Sequence, residues 1–175
     1  IHHDNAYLMN IAAGLNLIPY GTEDDLYVNG RITGNSPYLT FEWKAGKDGK
    51  SYQVQTQLIG EYNFPNALAA ITIGRFFGVE DAKINEALSG YTPQNNRSQL
   101  KKTDDNTRII DAYNANPTSM MAALQNFRNM EVPHKMLILG DMRELGAESA
   151  AEHQKIADYL KECPFEKVWL VGGQF

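Results

Sequence analysis

Residues 111–120 read Asp111-Ala112-Tyr113-Asn114-Ala115-Asn116-Pro117-Thr118-Ser119-Met120, a polar loop between an apolar strand pattern and a helix pattern. The next apolar run ends in the same way, at Leu139-Gly140-Asp141-Met142-Arg143-Glu144-Leu145-Gly146. Open α/β sheets place their ligand-contacting groups in such loops, at the carboxyl ends of the strands. Two loops of this kind in succession predict an α/β fold with one edge of a ligand site.

The segments around these loops predict alternating strands and helices. Asn116 and Pro117 suit the cap and the first residue of one helix, and residues 149–152 read as a capping box that opens another. The run at 135–139 is apolar throughout, as in parallel strands covered on both faces. The order is therefore β-α-β-α-β, half of a doubly wound sheet. Strands are expected at residues 99–103, 107–111, 135–139 and 167–171.

The first half of the chain has a different pattern. Apolar and polar residues alternate over 39–43 and again over 52–58, which predicts a β-hairpin with its turn at 45–50. That turn contains Gly-Lys-Asp-Gly-Lys-Ser, but a phosphate loop would need glycine where Lys44 stands. We therefore interpret the segment as a hairpin turn and not as a nucleotide-binding loop.

Three helices are expected around this hairpin, of which the last and shortest lies near residues 81–88. Asp4 is placed to cap the first, whose apolar residues recur at helical spacing. The second begins near Pro65 and ends at Gly78, a good C-terminal stop. Residues 67–77 are apolar nearly all round, which predicts a helix buried on most of its sides.

A loop rich in Pro, Asn and Gln at residues 90–98 separates the two patterns. It predicts a domain boundary, with one domain over 1–97 and a second over 98–175. The chain opens directly before a helix cap and stops after a parallel strand that has no covering helix. We therefore expect a fragment of a longer protein.

The bulk composition limits the function classes. A net charge of −5 over 175 residues argues against a general nucleic-acid surface. The sequence has no apolar run near the roughly 20 residues that span a bilayer, so we expect no membrane insertion. The single Cys163 fits a reducing cytoplasm. His2, His3 and Asp4 lack partners at ligand spacing, so no metal site is expected here.

Four polar residues, which precede the first loop or begin it, can each be interpreted in two ways. Asn63 and Asn66 flank Pro65, and can either cap a helix or clamp a purine through paired amide donors and acceptors. Arg97 is either a solvated side chain or a ligand contact. Asp111 ends a strand, where it can contact a ribose or a metal-bound water, or cap its own loop.

The two loops themselves supply the other candidates. Asn116 is most simply a helix cap, whereas Tyr113 and Asn114 have no evident structural role and favour function. Arg143 can hold a ligand carboxylate bidentately, or can form a surface loop with Glu144 that contributes little energy. His153 shares a helix face with apolar residues, which favours a partly buried, hydrogen-bonded histidine over one that faces a substrate.

Read in order, these motifs resemble the Mur ligases of bacterial cell-wall synthesis. The resemblance is to the branch that adds D-alanyl-D-alanine to UDP-N-acetylmuramoyl-tripeptide, and it covers almost the whole chain. Tyr62 departs from the histidine common at its position. The motifs are Gly60-x-Tyr62-Asn63-x-x-Asn66-Ala67, Pro93-x-x-x-Arg97, residues 111–120, and Gly140-Asp141-Met142-x-Glu144-Leu145-Gly146 with His153.

The resemblance implies a fold and two sets of contacts. Residues 1–97 would end a central ATPase domain, and 98–175 would begin a Rossmann-like C-terminal domain. The nucleotide would contact Asn63, Asn66, Arg97 and Asp111. The acceptor dipeptide would contact Tyr113, Asn114, Asn116, Ser119, Asp141, Arg143, Glu144 and His153.

The resemblance also implies the chemistry. ATP would phosphorylate the tripeptide carboxylate, and the amine of D-alanyl-D-alanine would displace the phosphate. The family's phosphate loop, Mg²⁺ ligands and modified lysine would lie upstream of Ile1, so this chain alone is expected to be inactive. The active protein is expected to be monomeric, to work in the cytoplasm and to bind small molecules. The alternatives are a tripeptide-forming ligase, a folylpolyglutamate synthase, or a non-catalytic binding protein with the C-terminal fold.

Overall fold

The fold is described from a computed structural model, for residues 1–94 and 96–175. It is a mixed α/β structure, as the sequence predicts. The first part contains α1 (Ala6–Ile11), β1 (Tyr20–Gly21), β2 (Val28–Asn35), β3 (Leu39–Lys44), β4 (Tyr52–Gln55), α2 (Phe64–Phe76) and α3 (Asp81–Gly90). The second contains β5 (Gln99–Lys102), β6 (Thr107–Ile110), α4 (Pro117–Asn129), β7 (Met136–Gly140), α5 (Ser149–Lys161) and β8 (Lys167–Val171).

A four-stranded sheet in the order β1-β2-β3-β4 forms the first part. The predicted hairpin is confirmed, because β3 and β4 are antiparallel neighbours that place Phe41 opposite Val54. Alternate residues of β3, among them Trp43, are fully buried. Strand β2 is not predicted from the sequence, because its glycines at positions 30 and 34 interrupt the alternation of apolar and polar residues.

Helix α2 packs against this sheet through one face. Phe64, Leu68 and Ile71 of that face belong to the same buried cluster as β3. The prediction that this helix is buried on most sides is wrong, since Ile73 is 60% and Phe76 57% exposed. Its end at Gly78, which has a φ of 78°, is as predicted.

The predicted cap of α1 is also wrong. Asn5 caps the helix, because its side-chain oxygen accepts a hydrogen bond from Leu8 N at 3.1 Å. The carboxylate of Asp4 instead accepts from Thr22 N at 3.0 Å. Asp4 therefore fastens the segment before α1 to the residue that follows β1.

The second part has the predicted order of elements, but among the described residues they form two small sheets and not the single doubly wound sheet that the sequence predicts. β5 and β6 form an antiparallel hairpin, and β7 pairs in parallel with β8. Helices α4 and α5 contribute Leu124 and Ile156 to a small buried cluster that also includes Met142. The strands are not covered on both faces as predicted, since Ile138 is 74% exposed. The capping box predicted at 149–152 is absent, because no side chain caps α5.

The two buried clusters lie on opposite sides of the predicted boundary, and the boundary itself stays a prediction. Within the described residues, no helix combines the length and the apolar character that crossing a membrane requires.

Candidate functional site

The start of α2 presents the two asparagines of the candidate nucleotide side. A single 3-10 turn, Glu61–Asn63, leads directly into this helix. Asn63 Nδ2 donates to Ile59 O at 2.9 Å, and Asn66 Nδ2 lies 3.4 Å from Asn63 Oδ1. Neither side chain caps α2, because neither accepts a hydrogen bond from a backbone N–H group at the start of the helix. The capping reading is therefore wrong for this pair, and the exposed amide of Asn66 remains available to a ligand.

A short polar chain connects this helix start to the first strand-end loop. The hydroxyl of Tyr62 lies 2.7 Å from Ser98 Oγ. Ser98 Oγ in turn donates to Asp111 Oδ2 at 3.1 Å. Ala112 N also donates to Asn96 O at 2.8 Å. These contacts bring α2, the linker and residue 111 together, as a shared site requires.

Arg97 and Tyr113 meet at the same junction. The guanidinium of Arg97 lies 3.7 Å from the centroid of the Tyr113 ring, a cation–π geometry. Both side chains are exposed, so neither loses much hydration in this arrangement. A guanidinium held over a ring stays in place while its N–H groups remain free to bind an anion.

The loop after β6 is held by the start of α4. Asn116 Oδ1 accepts from Ser119 N at 2.9 Å, and Asn116 N donates to Ser119 Oγ at 3.3 Å. This reciprocal capping box confirms Asn116 as the cap and Pro117 as the first helical residue. Asn116 and Ser119 thus shape the loop, and the exposed Asn114 lies beside them.

The loop after β7 lines a pocket of about 390 Å³. Asp141 fixes one wall, because its carboxylate accepts from Gly173 N at 2.9 Å and Gln174 N at 3.2 Å. Glu144 has a φ of 64°, a backbone conformation unusual for a residue other than glycine. The lining residues are Asp141, Met142, Arg143, Glu144, Leu145, Gly146, Ser149 and Gln174.

His153 lies beneath this pocket and is only 2% exposed. Its Nε2 accepts a hydrogen bond from Met142 N at 3.0 Å. Its Nδ1 lies 2.7 Å from Ser149 O, which can only accept, so the proton is on Nδ1. The structure thus places His153 as a support for the 141–146 loop, the reading that the sequence favours.

At this junction, the surroundings of Tyr62 shift the pKa of its hydroxyl. Burial is the largest effect and raises the pKa of its hydroxyl; the Ser98 hydrogen bond lowers this pKa by less, and the nearby charge of Asp111 raises it by a smaller amount still. Tyr62 is therefore held in its neutral, hydrogen-bonding form. The described residues contain no cluster of three or more His, Cys, Asp or Glu side chains that could hold a metal ion.

Sequence reasoning missed three residues that organise the site. Ser98 joins Tyr62 to Asp111, Gln174 borders the pocket, and the buried Met142 backbone is held by His153. A serine in a linker and a glutamine after the last strand carry no local signal. Their roles come from contacts between distant parts of the chain.

Comparisons with known proteins show what this chain is similar to. Residues 96–174 match the family model described as Mur ligase, glutamate ligase domain. The chain is 39% identical over 117 residues to the UDP-N-acetylmuramoyl-tripeptide--D-alanyl-D-alanine ligase of Bacillus subtilis (strain 168). That alignment covers 66% of this chain and 26% of the relative. The chain therefore spans about a quarter of the length of this curated relative.

Two solved structures share the fold. The structure of MurF from Acinetobacter baumannii has a TM-score of 0.82 and 28% identity, over 97% of this chain and 36% of that one. The MurF ligase from Thermotoga maritima in complex with ADP has a TM-score of 0.71 over 89% of this chain and 35% of that one. At 18% identity, this second likeness concerns the fold alone.

Proposed function

Because this chain belongs to the Mur ligase family, we propose that the full-length protein joins D-alanyl-D-alanine to UDP-N-acetylmuramoyl-tripeptide at the expense of ATP. The product is a precursor of peptidoglycan. The observation that carries the proposal is the contact chain from Tyr62 through Ser98 to Asp111. It joins the helix start that bears Asn63 and Asn66 to the loop that begins at Asp111, as a nucleotide site shared by the two parts of the chain would require.

The proposed reaction has two steps. The tripeptide carboxylate attacks the γ-phosphorus of ATP, which gives an acyl phosphate and ADP. The amine of D-alanyl-D-alanine then attacks the acyl carbon, inorganic phosphate leaves, and the amine loses a proton. Such chemistry depends on positioning the reactants and on neutralising phosphate charge. The residues of this chain contribute to the positioning.

On the nucleotide side, we propose that Asn63 and Asn66 face the adenine, whose edge offers a donor and an acceptor to an amide. Arg97 would contact the phosphates, and Asp111 the ribose. The donor set fits the nucleotide, because Asn66 and Arg97 are exposed. The described hydrogen bond of the Asp111 side chain uses Oδ2, which leaves Oδ1 for a hydroxyl group.

On the acceptor side, we propose that the pocket of residues 141–146 seats the dipeptide. D-alanyl-D-alanine carries a carboxylate that Arg143 can hold bidentately. Glu144 lies next to it, on the exposed rim, where its charge suits the amino end. Tyr113 and Asn114 would border the same ligand. Asp141, Asn116, Ser119 and His153 hold these loops in place.

The other expected properties are also part of the proposal. Mg²⁺ would accompany ATP, and we assign it no ligand because the described residues contain no suitable acidic cluster. We propose that the central domain ends at residue 97 and that a Rossmann-like domain begins at 98. The protein would act as a monomer in the cytoplasm, on small-molecule substrates and without nucleic acid.

The test is an assay of the purified full-length protein with ATP, Mg²⁺ and UDP-N-acetylmuramoyl-tripeptide. Adding D-alanyl-D-alanine is expected to release phosphate and to give the amide product, identified by its mass. In parallel, glutamate with a folate tests the folylpolyglutamate synthase, and UDP-N-acetylmuramoyl-dipeptide with the amino acids that enter the third peptide position tests the tripeptide-forming ligase. Turnover with one of those acceptors, or no turnover with any, would overturn the proposal. The latter result would favour the non-catalytic protein.

A further inference from the structure

The side chain of Tyr62 joins the contact chain to Asp111, but no role towards a ligand has been assigned to it so far. Its ring packs directly over Gly60, where a Cβ atom would overlap the ring carbons. Gly60 also has a φ of 94°, a conformation that side chains rarely adopt. The backbone before α2 is thus shaped to receive this ring, and the ring is fixed in one direction.

The hydrogen bonds of Tyr62 have a defined direction. A carboxylate only accepts, so Ser98 Oγ gives its single proton to Asp111 Oδ2 at 3.1 Å. The contact of 2.7 Å between the Tyr62 hydroxyl and Ser98 Oγ must then be donated by Tyr62. The raised pKa of Tyr62, caused first by burial, is consistent with a hydroxyl that keeps its proton.

The middle member of this chain is itself constrained. Ser98 is 6% exposed and has a φ of 46°, so its hydroxyl has few alternative positions. Two residues earlier, Asn96 O accepts from Ala112 N at 2.8 Å. The end of the linker is therefore attached to residues 111 and 112 on one side and to Tyr62 on the other.

We propose that Tyr62 is a positioning residue for the nucleotide, which acts through Ser98 to orient the carboxylate of Asp111. With Oδ2 held by Ser98, Oδ1 is turned to accept a hydroxyl group of the ribose. Tyr62 also ties the linker to the helix that bears Asn63 and Asn66, so the two halves of the nucleotide site keep their spacing. This inference rests on the proposed nucleotide contact of Asp111.

The experiment compares Tyr62→Phe with Tyr7→Phe in the full-length protein. The first variant keeps the ring over Gly60 and removes only the donated proton, whereas Tyr7 is 71% exposed and serves as the matched control. Calorimetric titration with ADP is expected to give a Kd about 3- to 10-fold higher for Tyr62→Phe, the range for one lost hydrogen bond. The control should bind ADP as the wild type does.

Steady-state rates separate positioning from folding. For Tyr62→Phe we expect a higher KM for ATP, with kcat at saturating ATP within about twofold of the wild type. Ser98→Ala should raise the Kd for ADP similarly, and the double variant should be no weaker than Ser98→Ala alone, because both changes break one chain. Ser98→Ala also provides the test if Tyr62→Phe does not fold.

Three results would overturn the inference. The first is an unchanged Kd for ADP in Tyr62→Phe, and the second is a loss of thermal stability with normal ADP affinity. The third is additive effects of the two substitutions. ADP binding needs no acceptor, so a protein that binds ADP but ligates nothing refutes the proposed function and leaves this test valid. A wild-type protein that binds no ADP refutes both.

Discussion

The two buried clusters of this chain differ in how they are built. The first combines β3 with α2 and encloses large side chains such as Trp43 and Phe41. The second contains only Leu124, Met142 and Ile156 as fully buried members. Around it, polar contacts of Asp141, Asn116 and His153 hold the loops. The first region therefore has the larger fully buried core, whereas in the second, which carries most of the candidate site, individual hydrogen bonds hold the loops around a smaller core.

The difference has a consequence for function. A pocket whose loops are fixed by individual hydrogen bonds can change shape when one bond is lost, without disturbing the rest of the fold. A packed sheet and helix cannot, because closely packed side chains leave no room for small adjustments. Substitutions in the two regions are therefore expected to differ in both size and kind.

Removing Trp43 should have the largest effect. Its ring is fully buried, stacks on Tyr52 at 5.0 Å between centroids, and donates from Nε1 to Asn85 at 2.8 Å. Trp43→Ala should lower the free energy of unfolding by about 3–5 kcal/mol. Urea unfolding of the 175-residue chain, followed by circular dichroism, measures this loss.

The second tryptophan is the matched control for the comparison. Trp169 lies on β8 and is 45% exposed. Trp169→Ala should cost about 1 kcal/mol or less, as is usual for surface positions. Equal losses for the two substitutions would contradict the difference between the regions.

Substituting His153 should lower the stability less than Trp43→Ala does, and its effect should be local to the 141–146 loop. His153→Ala leaves Met142 N–H buried without its acceptor, which costs about 1–3 kcal/mol, in addition to a small cavity. Hydrogen exchange of residues 141–146 should accelerate. His134, whose side chain is 80% exposed, is the control for exchange, and His134→Ala should leave the hydrogen exchange of residues 141–146 unchanged. Unchanged exchange in His153→Ala would show that the loop is held in another way.

Removing the cap of α4 should lower the stability by a smaller amount than His153→Ala does. Asn116→Ala removes the acceptor of Ser119 N and should destabilise the chain by about 0.5–2 kcal/mol. Asn114→Ala, two residues earlier and exposed, is the control for this loss of stability. A similar loss in both variants would refute the assignment of the cap, which urea unfolding can decide.

The smallest effect concerns pH and Tyr62. Burial raises the pKa of this hydroxyl in the folded state above its usual value of 10.0. The folded state therefore favours the neutral form, and this contribution to stability is complete below pH 10 and is lost as pH rises through the higher, folded pKa. The stability difference between wild type and Tyr62→Phe should be constant from about pH 8 to about pH 9 and should narrow between about pH 10 and about pH 11. A constant difference across this range would contradict the burial of the hydroxyl.

The sequence was informative where the signal is local. Alternation predicts the β3–β4 hairpin, and the Asn116-Pro117 pair predicts the start of α4, because both patterns lie within one element. It failed where the signal is ambiguous or distant. Asp and Asn are equally common as helix caps, so the sequence does not distinguish Asp4 from Asn5 as the cap of α1. The contact of Asp4 with Thr22, which is distant in sequence, removes Asp4 from that role. Ser98 owes its role to Tyr62 and Asp111, 36 and 13 residues away.

The most direct test of the proposed site is a structure of the full-length protein with ADP bound. We expect the adenine against Asn63 and Asn66, and a ribose hydroxyl within hydrogen-bond distance of Asp111. The 141–146 pocket should remain open beside the nucleotide for the dipeptide. An adenine bound away from Asn63 and Asn66, or a nucleotide within the 141–146 pocket itself, would contradict the account.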